Sequence, residues 1–108
     1  MKPANHAPAF ALLYRGLCDI ARHHGYALVI HGTLISDFDL IAVPWVGEVS
    51  PAQALIDALS LHCNACIEAY VPGYEAITQK PHGRIAVNLY LDFGAKVDLS
   101  VIPAGATR

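Results

Sequence analysis

Charge is what this 108-residue chain has least of: seven Lys or Arg and nine Asp or Glu make up 15% of it, against about 25% in an average domain. The net charge is −2 with histidine neutral, and no run of Lys or Arg clusters on any expected element. General nucleic-acid binding through a basic face is therefore excluded. Cysteine is also scarce. Cys18, Cys63 and Cys66 are three, an odd number, which does not fit a disulfide framework. Long apolar runs are missing as well: Met1-Lys2-Pro3-Ala4-Asn5-His6 has no apolar stretch of signal-peptide length, and the later runs break well short of a membrane span. The expectation is a cytoplasmic protein without membrane contact.

Apolar residues fill the space that charge leaves. They are 55% of the chain, above the usual ~45–50%, and a chain of this size buries about two-thirds of its unfolded surface in a single core. One domain over residues 1–108 is expected, with its core at about 9–103, and any active site must sit on that core. With so few charges to cover the outside, a protein partner or a homodimer is expected to hide part of the surface.

Two periodicities divide the chain. Phe10, Leu13, Leu17, Ile20 and Ala21 recur at spacings of three and four, predicting an amphipathic helix over 9–24. Pro8 suits its first turn, Arg22, His23 and His24 suit the negative end of its dipole, and Gly25 ends it. Ser50-Pro51 reads as an N-cap followed by the N1 proline of a second helix reaching about residue 62, with Ala54, Leu55, Ala58, Leu59 and His62 along one side. Strands are predicted at 26–31, as a run buried on both faces, at 37–45, and as a short piece at 67–71. Residues 84–92 and 96–102 alternate around Phe93-Gly94-Ala95, a hairpin by period and loop length. Val87, Leu89, Leu91, Val97, Leu99 and Val101 share its greasy face; Asn88, Tyr90, Asp98 and Ser100 share the other. The fold class is therefore α/β (α+β), a small mixed sheet with helices packed on it.

The polar residues of the strand at 37–45 stand only at its start. Asp37 and Asp39, two apart on a strand, project from one face about 7 Å apart at the backbone, and carboxylates that close repel unless a cation or proton intervenes. Mg2+ (or Mn2+) is the natural answer, because it takes one or two carboxylates plus water and substrate phosphate. A third carboxylate on a neighbouring strand completes a two-metal arrangement, and Asp98 is the candidate. Upstream, Gly32-Thr33 leaves a strand for a turn, where glycine lets a phosphate approach backbone N–H groups and threonine adds a hydroxyl. Lys80, His82 and Arg84, in a Gly/Pro-bounded loop, are candidate cations for phosphate. His31 beside the carboxylates reads as a hydrogen-bonded strand histidine, Trp45 and Tyr90 as packing residues. His62, Cys63 and Cys66 offer a rival zinc site, short of the four ligands a structural site needs.

His31-Gly32-Thr33, Ser36-Asp37-Phe38-Asp39-Leu40-Ile41 and Val97-Asp98-Leu99-Ser100 resemble the Gly-Ser, Asp-x-Asp and third-Asp motifs of the nucleotidyltransferase superfamily, above all its minimal antitoxin-like members. From about residue 26 to 103 the pattern also resembles small phage-encoded proteins of this fold. The resemblance implies that Asp37, Asp39 and Asp98 bind Mg2+ and serve as catalytic residues, with Asp98 assisting the metal or activating the attacking hydroxyl. It implies that Gly32 and Thr33, with Lys80 and Arg84, contact a nucleoside triphosphate, whose nucleotidyl group passes to an acceptor in the host cytoplasm if the protein is phage-encoded. Only Leu34, Ile35 and Ser36 separate Gly32-Thr33 from Asp37, less than one helical turn. That brevity motivates the alternative, a catalytically inactive interaction or anti-host module that keeps the fold.

Overall fold

The computed structural model describes residues 5–32, 34, 37–63, 66–67, 78–79, 84–91 and 95–103. Helix α1, Ala7–His23, begins two residues before the predicted start, with Pro8 in its first turn, and ends at His24 and Gly25, the latter at φ +89°. Its buried residues Phe10, Leu17 and Ala21 fall on the predicted stripe. Helix α2, Ala52–Cys63, buries Leu55, Ile56, Leu59 and Ser60, so its inward face is rotated from the predicted one. His62 is exposed. The Ser50 backbone is held on both sides: its N–H donates to the His24 carbonyl at 2.9 Å and its own carbonyl accepts the Tyr26 hydroxyl at 2.7 Å. The Pro51 carbonyl takes the first helical N–H groups, from Ala54 and Leu55.

The strands are β1 Tyr26–His31, β2 Asp37–Pro44, β3 Cys66–Ile67, β4 Thr78–Gln79, β5 Ile85–Tyr90 and β6 Lys96–Val101. They form one mixed sheet in the order β1-β2-β6-β5-β3, with β4 also pairing β5. Only β2 and β6 run parallel; the other pairs are antiparallel. The predicted hairpin is β5–β6, closed by a 2.8 Å bond from the Leu91 N–H to the Ala95 carbonyl. Phe93 and Gly94 of its turn, the predicted end at Asp92, and residues 68–71 of the third predicted strand lie outside the described residues.

Period-two alternation sorts the side chains to two faces. Phe38, Leu40 and Ala42 of β2, Val97, Leu99 and Val101 of β6, and Val87 and Leu89 of β5 join the inward residues of both helices in one core. Phe38 is wholly buried and stacks on Phe10 at 4.9 Å between ring centroids. The same alternation corrects the reading of β1. It is the edge strand, covered by helix on one face only, so Tyr26 and Leu28 are buried while Val29 is 46% exposed. Its edge is partly blocked, since the Tyr14 hydroxyl donates to the Leu28 carbonyl at 2.7 Å. Among the described residues no helix is long and apolar enough to cross a membrane.

Candidate functional site

The second face of the sheet carries the candidate residues, and register decides which of them meet. His31 of β1 pairs with Asp39 of β2, Asp39 pairs with Asp98 of β6, and Asp98 pairs with Asn88 of β5. These four side chains thus form one row across four strands. The next row toward the start of β2 is Asp37, Lys96 and Tyr90. On the other side of the Asp39–Asp98 row stand Ile41, Ser100 and Ala86. Two of the three predicted aspartates are therefore direct cross-strand partners, and the third lies two residues from one of them on the same face. All three are partly buried. Among the described residues the ion pair found is Arg22 with Asp19 on α1, so no described cation forms a salt bridge with any of the three carboxylates.

Gly32 follows β1 at φ +84°, and a Cβ placed there meets Asp39 Oδ2 at 2.6 Å. The Asp39 carboxylate therefore rests over the glycine's bare Cα, and any other residue at 32 both strains the backbone and displaces it. Leu34, two residues on, holds φ +66° while its side chain packs against the core. A leucine in that region is uncommon. Gly32 and Leu34 thus both hold left-handed backbone between β1 and β2. Thr33 and Lys80, both predicted to bind phosphate, and His82 lie outside the described residues.

Arg84 does reach this face. Its Nη1 donates to Ser100 Oγ at 2.8 Å, and Ser100, only 7% exposed, is two residues beyond Asp98 on the same side of β6. The sequence placed Ser100 on the polar face but gave no sign that it holds an arginine from the preceding loop. Tyr90, 40% exposed, opens to solvent beside Lys96 rather than packing in the core. Trp45, 79% exposed, is likewise not a core residue; it lines a cavity of about 240 Å³ with Cys18, Arg22, Tyr26, Ala27 and Leu28 at the opposite end of β2.

Among the described residues no three His, Cys, Asp or Glu side chains are gathered closely enough to hold a metal ion. The donors do match a more open site. Mg2+ is commonly held by one or two carboxylates, with water and phosphate completing its shell, and Asp39 and Asp98 are an adjacent pair that no described cation neutralises. Of the rival zinc donors, the His62 ring lies against Gly16, whose added Cβ meets Nε2 at 2.5 Å, and the Cys66 side chain lies outside the described residues. Burial pushes the Cys63 thiol up to about 11, so without a metal beside it the thiol stays protonated at neutral pH.

Comparison with known proteins adds no relative: no family model, no curated protein and no solved structure matches the chain.

Proposed function

We propose that the protein is a minimal nucleotidyltransferase-like domain that transfers a nucleotidyl group from a nucleoside triphosphate to an acceptor hydroxyl, with Mg2+ or Mn2+ as cofactor. The observation that carries this reading is the register of β2 against β6, which makes Asp39 and Asp98 neighbours on parallel strands with Asp37 on the same face. A cation held there would supply neutralisation of phosphate charge and polarisation of the reacting P–O bonds. Asp39 and Asp98 would be its ligands, while Asp37 adds negative charge from the adjoining row. Asp98 also accepts the proton as the acceptor oxygen bonds to the α-phosphorus and the bond to the departing pyrophosphate breaks. The residues' task is positioning and charge balance, on which phosphoryl-transfer catalysis mainly rests.

The test uses the four α-labelled nucleoside triphosphates with Mg2+ or Mn2+ and a cell extract as acceptor source. Label should move to a macromolecule with the parent protein and not with Asp39→Asn or Asp98→Asn. A second reading, a catalytically silent interaction module, is favoured by the absence of a three-donor metal group among the described residues. Equal absence of transfer and of cation binding in the parent and both variants selects it.

A further inference from the structure

Arginine side chains at a strand end ordinarily wander in solvent, because a flexible side chain gains little from one exposed contact. Arg84 is different. It precedes β5, and its guanidinium reaches back over the sheet to a serine that is more than nine-tenths buried. Burying a hydroxyl without a partner costs free energy, so Ser100 and Arg84 each have a reason to hold the other. The bond uses one of five guanidinium N–H donors. Among the described residues no ion pair engages Arg84. Ser100 lies two strand residues from Asp98, about 7 Å along the strand, so the fixed cation stands next to the carboxylate pair but one row away from it.

We propose that Ser100 is a positioning residue that anchors Arg84 as an anion subsite on the open face of the sheet, and that this subsite takes the phosphate chain of a triphosphate whose reacting end lies at Asp39 and Asp98. It rests on the nucleotidyltransferase reading and adds the residue that sets where the phosphates lie. Arginine suits the task because its planar fork bonds phosphate through two N–H groups at once. The serine does not touch the ligand; it decides where the guanidinium waits, so that less side-chain freedom is lost on binding.

The probe is inorganic tripolyphosphate with Mn2+, titrated calorimetrically into the whole chain, which removes any dependence on base or acceptor. Ser100→Ala should weaken tripolyphosphate binding about three- to ten-fold and leave Mn2+ affinity alone unchanged, while Ser100→Thr, which keeps the hydroxyl, restores most of the loss. Arg84→Ala should cost more, and adding Ser100→Ala to it should cost nothing further, because the serine acts through the arginine. Unchanged binding in Ser100→Ala, additive losses in the double variant, or a parent that does not bind tripolyphosphate overturns the proposal. Tripolyphosphate binding that follows this pattern without nucleotidyl transfer in the labelling assay instead removes the enzymatic reading and leaves the anion subsite.

Discussion

The two faces of the sheet are made by the same strands and obey opposite rules. On the helix-covered face, Phe38, Leu40, Val97 and Leu99 are essentially without solvent exposure. One residue along the chain, Asp37, Asp39, Asp98 and Ser100 gather on the open face. Phe38 stands between the two aspartates, so one tripeptide contributes both a centre of the core and the candidate cation ligands. The covered face fixes the register, because a slip of one residue would bury the aspartates and expose the phenylalanine. The open face receives its geometry from that constraint and stabilises little in return.

Breaking the covered face should therefore have the largest effect. Phe38→Ala removes a fully buried ring stacked on Phe10 and should cost about 3–5 kcal/mol, read as a lower urea midpoint with an unchanged slope. A loss below 1 kcal/mol would mean that the core is not organised around this ring. Next comes Gly32→Ala, at the junction of the two faces. Its positive φ and the Asp39 oxygen waiting 2.6 Å from any added Cβ predict a cost of about 1–2 kcal/mol, together with weaker Mn2+ binding because the carboxylate is pushed aside. Stability and cation affinity should fall together only at this position. Asp39→Asn sharpens the contrast: it relieves repulsion between neighbouring carboxylates, so stability should hold or rise by a few tenths of a kcal/mol while Mn2+ binding is lost.

An effect that vanishes at neutral pH and grows only in alkali belongs to the covered side. Burial holds the Cys63 thiol at about 11 and also raises Tyr14 and Tyr26. The unfolded thiol ionises near about 8.5. The folded chain therefore keeps its proton where the unfolded chain has released it, and stability should decline as pH rises from about 8.5 toward about 11. Cys63→Ala should flatten part of that decline, measured by urea unfolding across the range. A slope indifferent to the substitution assigns it to the two tyrosines instead.

Local pattern made much of this legible. The strand at 26–31 and the start of β2 at Asp37 needed only apolar runs and their boundaries, and the alternation of Val87, Leu89, Val97 and Leu99 with Asn88, Asp98 and Ser100 gave the hairpin its two faces. Strand order was not legible. The placement of β1 at the edge, which exposes Val29, depends on β6 inserting beside β2 after more than 50 intervening residues. Helix α2 misled for a different reason: Ala52, Ala54, Leu55, Ile56, Ala58, Leu59 and Leu61 make it apolar nearly all round, so its neighbours rather than its periodicity choose the buried stripe. At the candidate site, spacing put Asp37 and Asp39 on one face and named Asp98 as their partner. Neither the resting place of Asp39 over Gly32 nor the hold of Ser100 on Arg84, 16 residues apart in the chain, leaves a mark that composition or period can reveal.

Binding of a divalent cation where β2 and β6 bring Asp39 and Asp98 together is read out by paramagnetic broadening of backbone amide signals with substoichiometric Mn2+. Selective loss is expected for the signals of His31, Gly32, Asp37, Asp39, Val97 and Asp98, with Trp45 and Val46 at the far end of the sheet unaffected and the whole effect abolished in Asp39→Asn. Uniform weak broadening, or broadening centred on Glu48 or Asp57 and retained in the variant, would contradict it.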